Sequence, residues 1–211
     1  ILVLTFPMVG NYGVPPSTLD ELGIPHFMES HKLHIAGLVV ADYSKTYSHW
    51  NAVQSLGQWL AEAGIPAIYG VDTRELTKKL REKGSFLGKI ELMGQEMIPF
   101  YDPNTVNLVE QVSRKEVKYY SIPNNDAAPH IIAYDCGMKM NILRHLVYIQ
   151  KCRVTVVPFN YNLEENPANI QYDGIFLSNG PGDPTMCTDT IESIKWAIKR
   201  EPPIPIFGIC L

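Results

Sequence analysis

Cys210 follows Ile204-Pro-Ile-Phe-Gly-Ile209, so its thiol falls at the first turn after an apolar, strand-like run. Gly208, two residues earlier, is the leading glycine of a G-x-C-x-G elbow, where a tight strand-to-helix turn exposes a nucleophile. The second glycine of that pattern would be residue 212. A deprotonated cysteine attacks carbonyl carbon strongly, and the thioester it forms is easily cleaved by water. Taken alone, a cysteine closing an apolar strand reads as core packing, because free cysteines are among the most buried residues.

A second segment changes that reading. Asp173-Gly-Ile-Phe-Leu-Ser-Asn-Gly-Pro-Gly-Asp-Pro184 runs from an apolar strand into a loop stiffened by two prolines and opened by two glycines after the strand. Such a loop can aim a bare backbone N–H at a ligand with no side chain in the way. An isolated Gly-Pro-Gly is an ordinary tight turn. Two such features, each at the end of an apolar strand, argue for one site.

The elements that position them alternate. His130 to Tyr134 reads as a strand, Met138 to Ile149 as a helix, Arg153 to Val157 and Gly174 to Leu177 as strands, Thr188 to Lys199 as a helix, and Pro205 to Ile209 as a last strand. Short apolar strands separated by helices require a parallel sheet covered on both faces, with chemistry at the carboxyl ends of the strands. Upstream, Ile1 to Phe6 reads as a strand, Pro7 to Pro16 as a loop, Leu33 to Ala41 as a buried strand, Ser48 to Ala63 as a helix stopped by Gly64, and Ile65 to Tyr69 as a short strand. Asp72-Thr-Arg-Glu75 resembles a capping box opening a helix that ends at Gly84. The basic residues Lys78, Lys79, Arg81 and Lys83 read as its solvated face.

From Pro99 to Pro129 the periodicity fades and Pro, Asn and Asp accumulate, which places the domain boundary there. The expected division is a first α/β domain over 1–121, a linker over 122–129, and a doubly wound, mostly parallel α/β domain over 130–211.

The chain has 211 residues, 45% hydrophobic and 19% charged, which is a globular composition. A net charge of −4 offers no field to draw nucleic acid, and no apolar run reaches the roughly 20 residues of a membrane span. Cys136, Cys152, Cys187 and Cys210 show neither C-x-x-C spacing nor nearby histidine pairs, so no metal site and no disulfide framework is indicated, and reduced thiols fit best. Both ends read as cuts, with any targeting segment lost.

Together, Asn179-Gly-Pro-Gly182 and Gly208-Ile-Cys-Leu211 resemble the two walls of the glutamine site in class I glutamine amidotransferases. Thr5-Phe-Pro-Met-Val-Gly-Asn-Tyr-Gly13, Gly70-Val-Asp-Thr-Arg-Glu-Leu-Thr77, Leu80-Arg-Glu-Lys-Gly84 and Tyr134-Asp-Cys-Gly-Met-Lys-Met-Asn-Ile-Leu-Arg144 resemble the small subunit of carbamoyl-phosphate synthetase, across the whole chain. Asp42-Tyr-Ser-Lys45, His49-Trp50, Ser55-Leu-Gly-Gln-Trp-Leu60 and Pro66-Ala-Ile-Tyr-Gly70 are most similar to the mitochondrial urea-cycle synthetases. Ammonia-dependent members of that group usually carry serine at the nucleophile, so Cys210 with an intact glycine loop resembles the glutamine-using type III members. The cytosolic multifunctional pyrimidine protein is the alternative.

The resemblance implies that Cys210 attacks the glutamine side-chain amide and that the N–H groups of Gly180 and Leu211 stabilise the oxyanion, with Gly180, Gly182 and Leu211 contacting glutamine. The catalytic histidine and glutamate of the family lie downstream of the cysteine and are absent from this chain, so residues 1–211 alone are expected to be inactive. His26, His31, His34, His49, His130 and His145 match no catalytic position and read as surface or structural.

Ammonia would pass to a synthetase large subunit or fused synthetase domains that consume ATP, with magnesium, and bicarbonate. No cofactor is expected in this region, and no Walker-type phosphate loop is present. The first domain would dock the synthetase module. The expected compartment is the mitochondrial matrix, with the cytoplasm as alternative. A non-catalytic, structural or regulatory version of the domain beside an ammonia-dependent synthetase is the rival reading.

Overall fold

The computed structural model describes residues 1–94 and 97–210. Contacts divide the chain into two compact units, residues 1–18 with 26–102 and residues 19–25 with 103–211.

The first unit is built on a small parallel sheet of β1 (Leu2–Val3), β2 (Leu38–Val39) and β3 (Ala67–Ile68), in that order. Its core is correspondingly modest. Leu38, Val40 and Leu60 are buried, with Leu4, Val9, Ile35, Leu56 and Ile65 packed partly against them.

Helix α1 (Leu56–Glu62) begins later than its sequence pattern implies, because the Ser55 hydroxyl accepts the Gln58 N–H at 3.1 Å and sets the first turn. Residues 53 and 54 are drawn instead into a pairing with Val14, whose carbonyl accepts the Val53 N–H at 2.9 Å. Helix α2 (Thr73–Lys83) is capped as the sequence indicates, with Asp72 Oδ1 accepting the Glu75 N–H at 2.9 Å.

The second unit carries the larger sheet, ordered β4 (Lys118–Tyr120), β6 (Arg153–Pro158), β5 (His130–Asp135), β7 (Gly174–Leu177) and β8 (Ile206–Gly208). Four of these strands run parallel, and β4 joins the β6 edge antiparallel. Strand β4 lies inside the stretch where periodicity fades in the sequence. Its pairing with β6 groups residues 103–121, which include α3 (Leu108–Val112), with the second unit by contact, whereas the sequence placed them with the first.

Alternation along the strands builds two hydrophobic layers. Ile132, Tyr134, Val157 and Ile175 face one core, closed by Ala197 and Ile194 of α5 (Thr188–Ile198). Ala133, Val154, Val156 and Phe176 face the other, closed by Met140 and Leu143 of α4 (Met140–Arg144) and by Val147 in the π-turn His145–Ile149 that extends it. Ile24 is buried in this second core, which explains why residues 19–25 belong to the second unit. The fold is α/β with mostly parallel strands.

Candidate active site

Within the parallel part of the sheet the chain order runs outward from β5, first to β6 on one side and then to β7 and β8 on the other. A doubly wound sheet opens a crevice at the carboxyl ends of the strands where that direction reverses, here between β5 and β7. The loops leaving β5 and β7 meet at this place, and β8 delivers Cys210 beside them.

The loop after β5 is fixed by Asp135. Its buried carboxylate accepts the Gly137 and Met138 N–H groups at 3.0 and 2.8 Å through Oδ1, and the Arg114 backbone N–H at 3.2 Å through Oδ2. The Arg114 guanidinium completes a close ion pair at 3.4 Å and reaches the Tyr120 hydroxyl at 3.2 Å. Cys136 donates its N–H to Ser178 Oγ at 2.9 Å, and that hydroxyl donates to the Asn179 carbonyl at 2.9 Å. Ser178 thereby joins the two loops through one fully buried oxygen.

Gly180 is required by this junction. A Cβ at that position would run into the Cys136 carbonyl, so no larger residue leaves the backbone in place. From the other side, a Cβ on Gly137 would come within 3.0 Å of Pro181 Cδ. The two loops are thus packed backbone to backbone, and the N–H of Gly180 is presented without a side chain of its own. Gly182 turns the chain with φ 83°, and Asp183 then accepts both the Thr185 hydroxyl and the Thr185 N–H, at 2.7 and 2.8 Å. The Thr185 hydroxyl, and then its N–H, hold the Asp183 carboxyl below its usual range.

Strand β8 pairs with β7 in the register Leu177 to Gly208, and the Ile209 N–H donates to the Leu177 carbonyl at 3.0 Å. Cys210 comes next, exposed, with φ 68°. Left-handed backbone is costly for a residue with a Cβ and is the expected signature of a strained nucleophile elbow. The register places Cys210 and the Asn179–Gly182 loop at the ends of adjacent parallel strands. The assigned Leu211 lies outside the described residues.

The other thiols are sequestered. Burial pushes Cys136 up to about 12, with the proximity of Cys187 and Asp135 adding to it, and burial likewise raises Cys187 and Cys152.

The histidines occupy other places. His130 opens β5 at its amino end, where Nε2 lies 2.8 Å from Thr155 Oγ1, and burial, reinforced by Arg153, lowers its pKa. His145 contacts Gln150, His34 contacts Ser30, and His26 contacts Thr18. Among the described residues no group of three His, Cys, Asp or Glu side chains is arranged to hold a metal ion.

Sequence reasoning did not single out Asp135, Arg114 or Ser178. Asp135-Cys-Gly-Met138 carries a local signal, since an aspartate that accepts N–H groups two and three residues on is a common turn device. The Arg114 partnership depends on β4 and was not readable.

Residues 1–90 match the family model described as carbamoyl-phosphate synthase small chain, CPSase domain, and residues 132–211 match that of glutamine amidotransferase class-I. The chain belongs to the carbamoyl-phosphate synthase small-chain family. It is 49% identical over 213 residues to the multifunctional protein CAD of Squalus acanthias, covering all of this chain and 9% of that protein. It is 47% identical over 215 residues to the arginine-specific small chain of carbamoyl phosphate synthase from Neurospora crassa, covering all of this chain and 46% of the relative. It is also 45% identical over 210 residues to human mitochondrial carbamoyl-phosphate synthase [ammonia], covering 99% of this chain and 13% of that protein.

The chain therefore spans about half the length of the small chains it matches, and much less of the multidomain relatives. In carbamoyl-phosphate synthase terms the second unit contains the amidotransferase match and both glycine-bearing walls of the candidate site. Among the described residues no helix is long and apolar enough to cross a membrane.

Proposed function

We propose that this chain carries the glutamine-hydrolysing site that supplies ammonia for carbamoyl phosphate synthesis, with Cys210 as nucleophile. The observation that carries the proposal is the left-handed, exposed Cys210 at the end of β8, beside the Asn179–Gly182 loop at the end of β7.

The thiolate adds to the side-chain amide carbon, and the C–N bond breaks as the nitrogen takes up a proton and leaves as ammonia. Water then hydrolyses the glutamyl thioester, releasing glutamate and restoring the thiol. The Gly180 N–H, with that of Leu211, supplies hydrogen bonds to the developing oxyanion, each worth roughly 3 kcal/mol in a preorganised site. Gly180 and Gly182 line the glutamine pocket. The general base and its orienting carboxylate come from outside residues 1–211, so this stretch alone turns over no glutamine.

The partner is a carbamoyl-phosphate synthetase module, as a large subunit or as fused domains, and ATP with magnesium is used there. We assign the protein to the glutamine-using mitochondrial synthetases of arginine and urea formation, on the strength of the upstream motifs. Cell fractionation tests that assignment, and recovery of the protein in the cytosol would favour the pyrimidine-directed alternative.

The decisive experiment replaces Cys210 with Ser in the full-length protein and measures carbamoyl phosphate formation from glutamine and from ammonia. Glutamine-supported synthesis is expected to vanish while ammonia-supported synthesis persists. Undiminished use of glutamine would refute the nucleophile, and a wild-type protein that uses ammonia alone would establish the non-catalytic reading.

A further inference from the structure

Asn179 is the last residue with a side chain before Gly180, and its amide oxygen Oδ1 is buried without a hydrogen-bond partner among the described residues. Its main chain is otherwise anchored, since the Asn179 carbonyl accepts from Ser178 Oγ. A buried acceptor with no donor costs free energy, and a folded protein keeps one where another molecule or state supplies the missing donor.

Strand register sets the segment that carries Cys210 beside Asn179. Leu177 pairs with Gly208 as the last residues of β7 and β8, and Asn179 and Cys210 each lie two residues beyond these strand ends. Both residues therefore leave the sheet at its carboxyl end, from adjacent strands. The orphan acceptor and the thiol are thus carried by segments that start side by side at the ends of β7 and β8. A primary amide seated on Cys210 carries two N–H donors on the atom that will leave. A carboxylate in the same position carries none and would set oxygen against oxygen.

Resting on the nucleophile assignment above, we propose that Asn179 is the specificity residue that distinguishes amide from acid, its Oδ1 accepting an N–H of the substrate's side-chain amide. In the unliganded loop this oxygen is sealed by its neighbours, so a donor reaches it only as the amide is seated. Pairing the orphan then favours the bound amide over bound product, whose carboxylate cannot satisfy it.

The test compares two acyl donors in the full-length protein, glutamine and glutamate γ-methyl ester, which share the acyl group but differ in having N–H on the leaving atom. Asn179→Leu is close in shape and lacks the acceptor. It is expected to lower kcat/KM for glutamine by roughly tenfold to a hundredfold, to leave the ester within about threefold, and to leave Tm unchanged or raised because a buried orphan is removed. Asn179→Ala serves as a second variant and should show the same split.

Equal losses on both substrates would overturn the proposal in favour of a structural role, and no loss on either would overturn it outright. Cys210→Ser separates the two levels of argument. If that variant keeps both hydrolyses, the nucleophile assignment has failed. If it loses both while Asn179→Leu shows no split, only the role of Asn179 has failed.

Discussion

Cys136 and Cys210 each follow a strand of the same parallel sheet, one after β5 and the other two residues after β8, yet their surroundings are opposite. Cys136 is 1% exposed, its N–H is held by Ser178, and burial pushes its thiol up to about 12. Cys210 is exposed and its backbone is left-handed at φ 68°. The difference is what the proposed nucleophile role of Cys210 requires, one thiol sealed in the sheet and the other open to a substrate. Position at a carboxyl end is shared. What separates the two is burial and backbone, since Cys136 sits in a packed loop whereas Cys210 is exposed on a left-handed backbone.

Replacing each cysteine breaks this comparison most sharply. Cys210→Ala in the full-length protein should reduce glutamine turnover by at least about a thousandfold, whereas Cys136→Ala should leave turnover within about twofold and cost about 1 kcal/mol of stability, read by denaturant unfolding.

The next largest effect comes from Gly180→Ala, because the added Cβ would meet the Cys136 carbonyl. The loop must then move, and a loss of about a hundredfold or more in glutamine kcat is expected with ammonia-supported synthesis intact.

Asp135→Ala removes the acceptor of three backbone N–H groups and the partner of Arg114. Destabilisation of about 3 kcal/mol is expected in urea titrations.

The smallest effects concern protons. Iodoacetamide at mildly alkaline pH should label Cys210 before Cys152, with Cys136 and Cys187 reacting only on unfolding. The pH dependence has a definite sign. Folding raises the Cys136 pKa from its ordinary 9.0 to about 12, so the native state keeps a proton that the unfolded chain releases. That contribution is complete below about pH 9 and is lost as pH climbs toward 12. The fall in Tm between about pH 8 and pH 10 should therefore be shallower in Cys136→Ala than in wild type.

Much of this contrast was legible in the residues. The three parallel pairings of the second unit involve strands whose continuous apolar runs announce them, and the glycine pattern marked both walls of the candidate site. Two things were hidden for physical reasons. Strand β4 is an edge strand of three residues in which only Tyr120 is buried, so its sequence carries almost no alternation. Ser55 cut short a helical pattern that looked continuous from Ser48, because the backbone of Val53 found a partner in Val14, far back in the sequence. Non-local hydrogen bonds of that kind leave no local trace. The pairing of Asp135 with Arg114 and the role of Ser178 likewise appear only once distant segments are brought together.

The short segment 19–25 has a bearing on how the gene can be dissected. Ile24 is 1% exposed, Asp20 accepts from the Tyr148 hydroxyl at 2.5 Å, and the Pro25 carbonyl accepts from Arg144. During vectorial synthesis this heptapeptide emerges more than a hundred residues ahead of the partners that will hold it. An expression clone that starts at residue 103 would make the amidotransferase half without it, leaving an open slot against α4. Supplying residues 19–25 as a separate peptide should then restore the missing stability in trans.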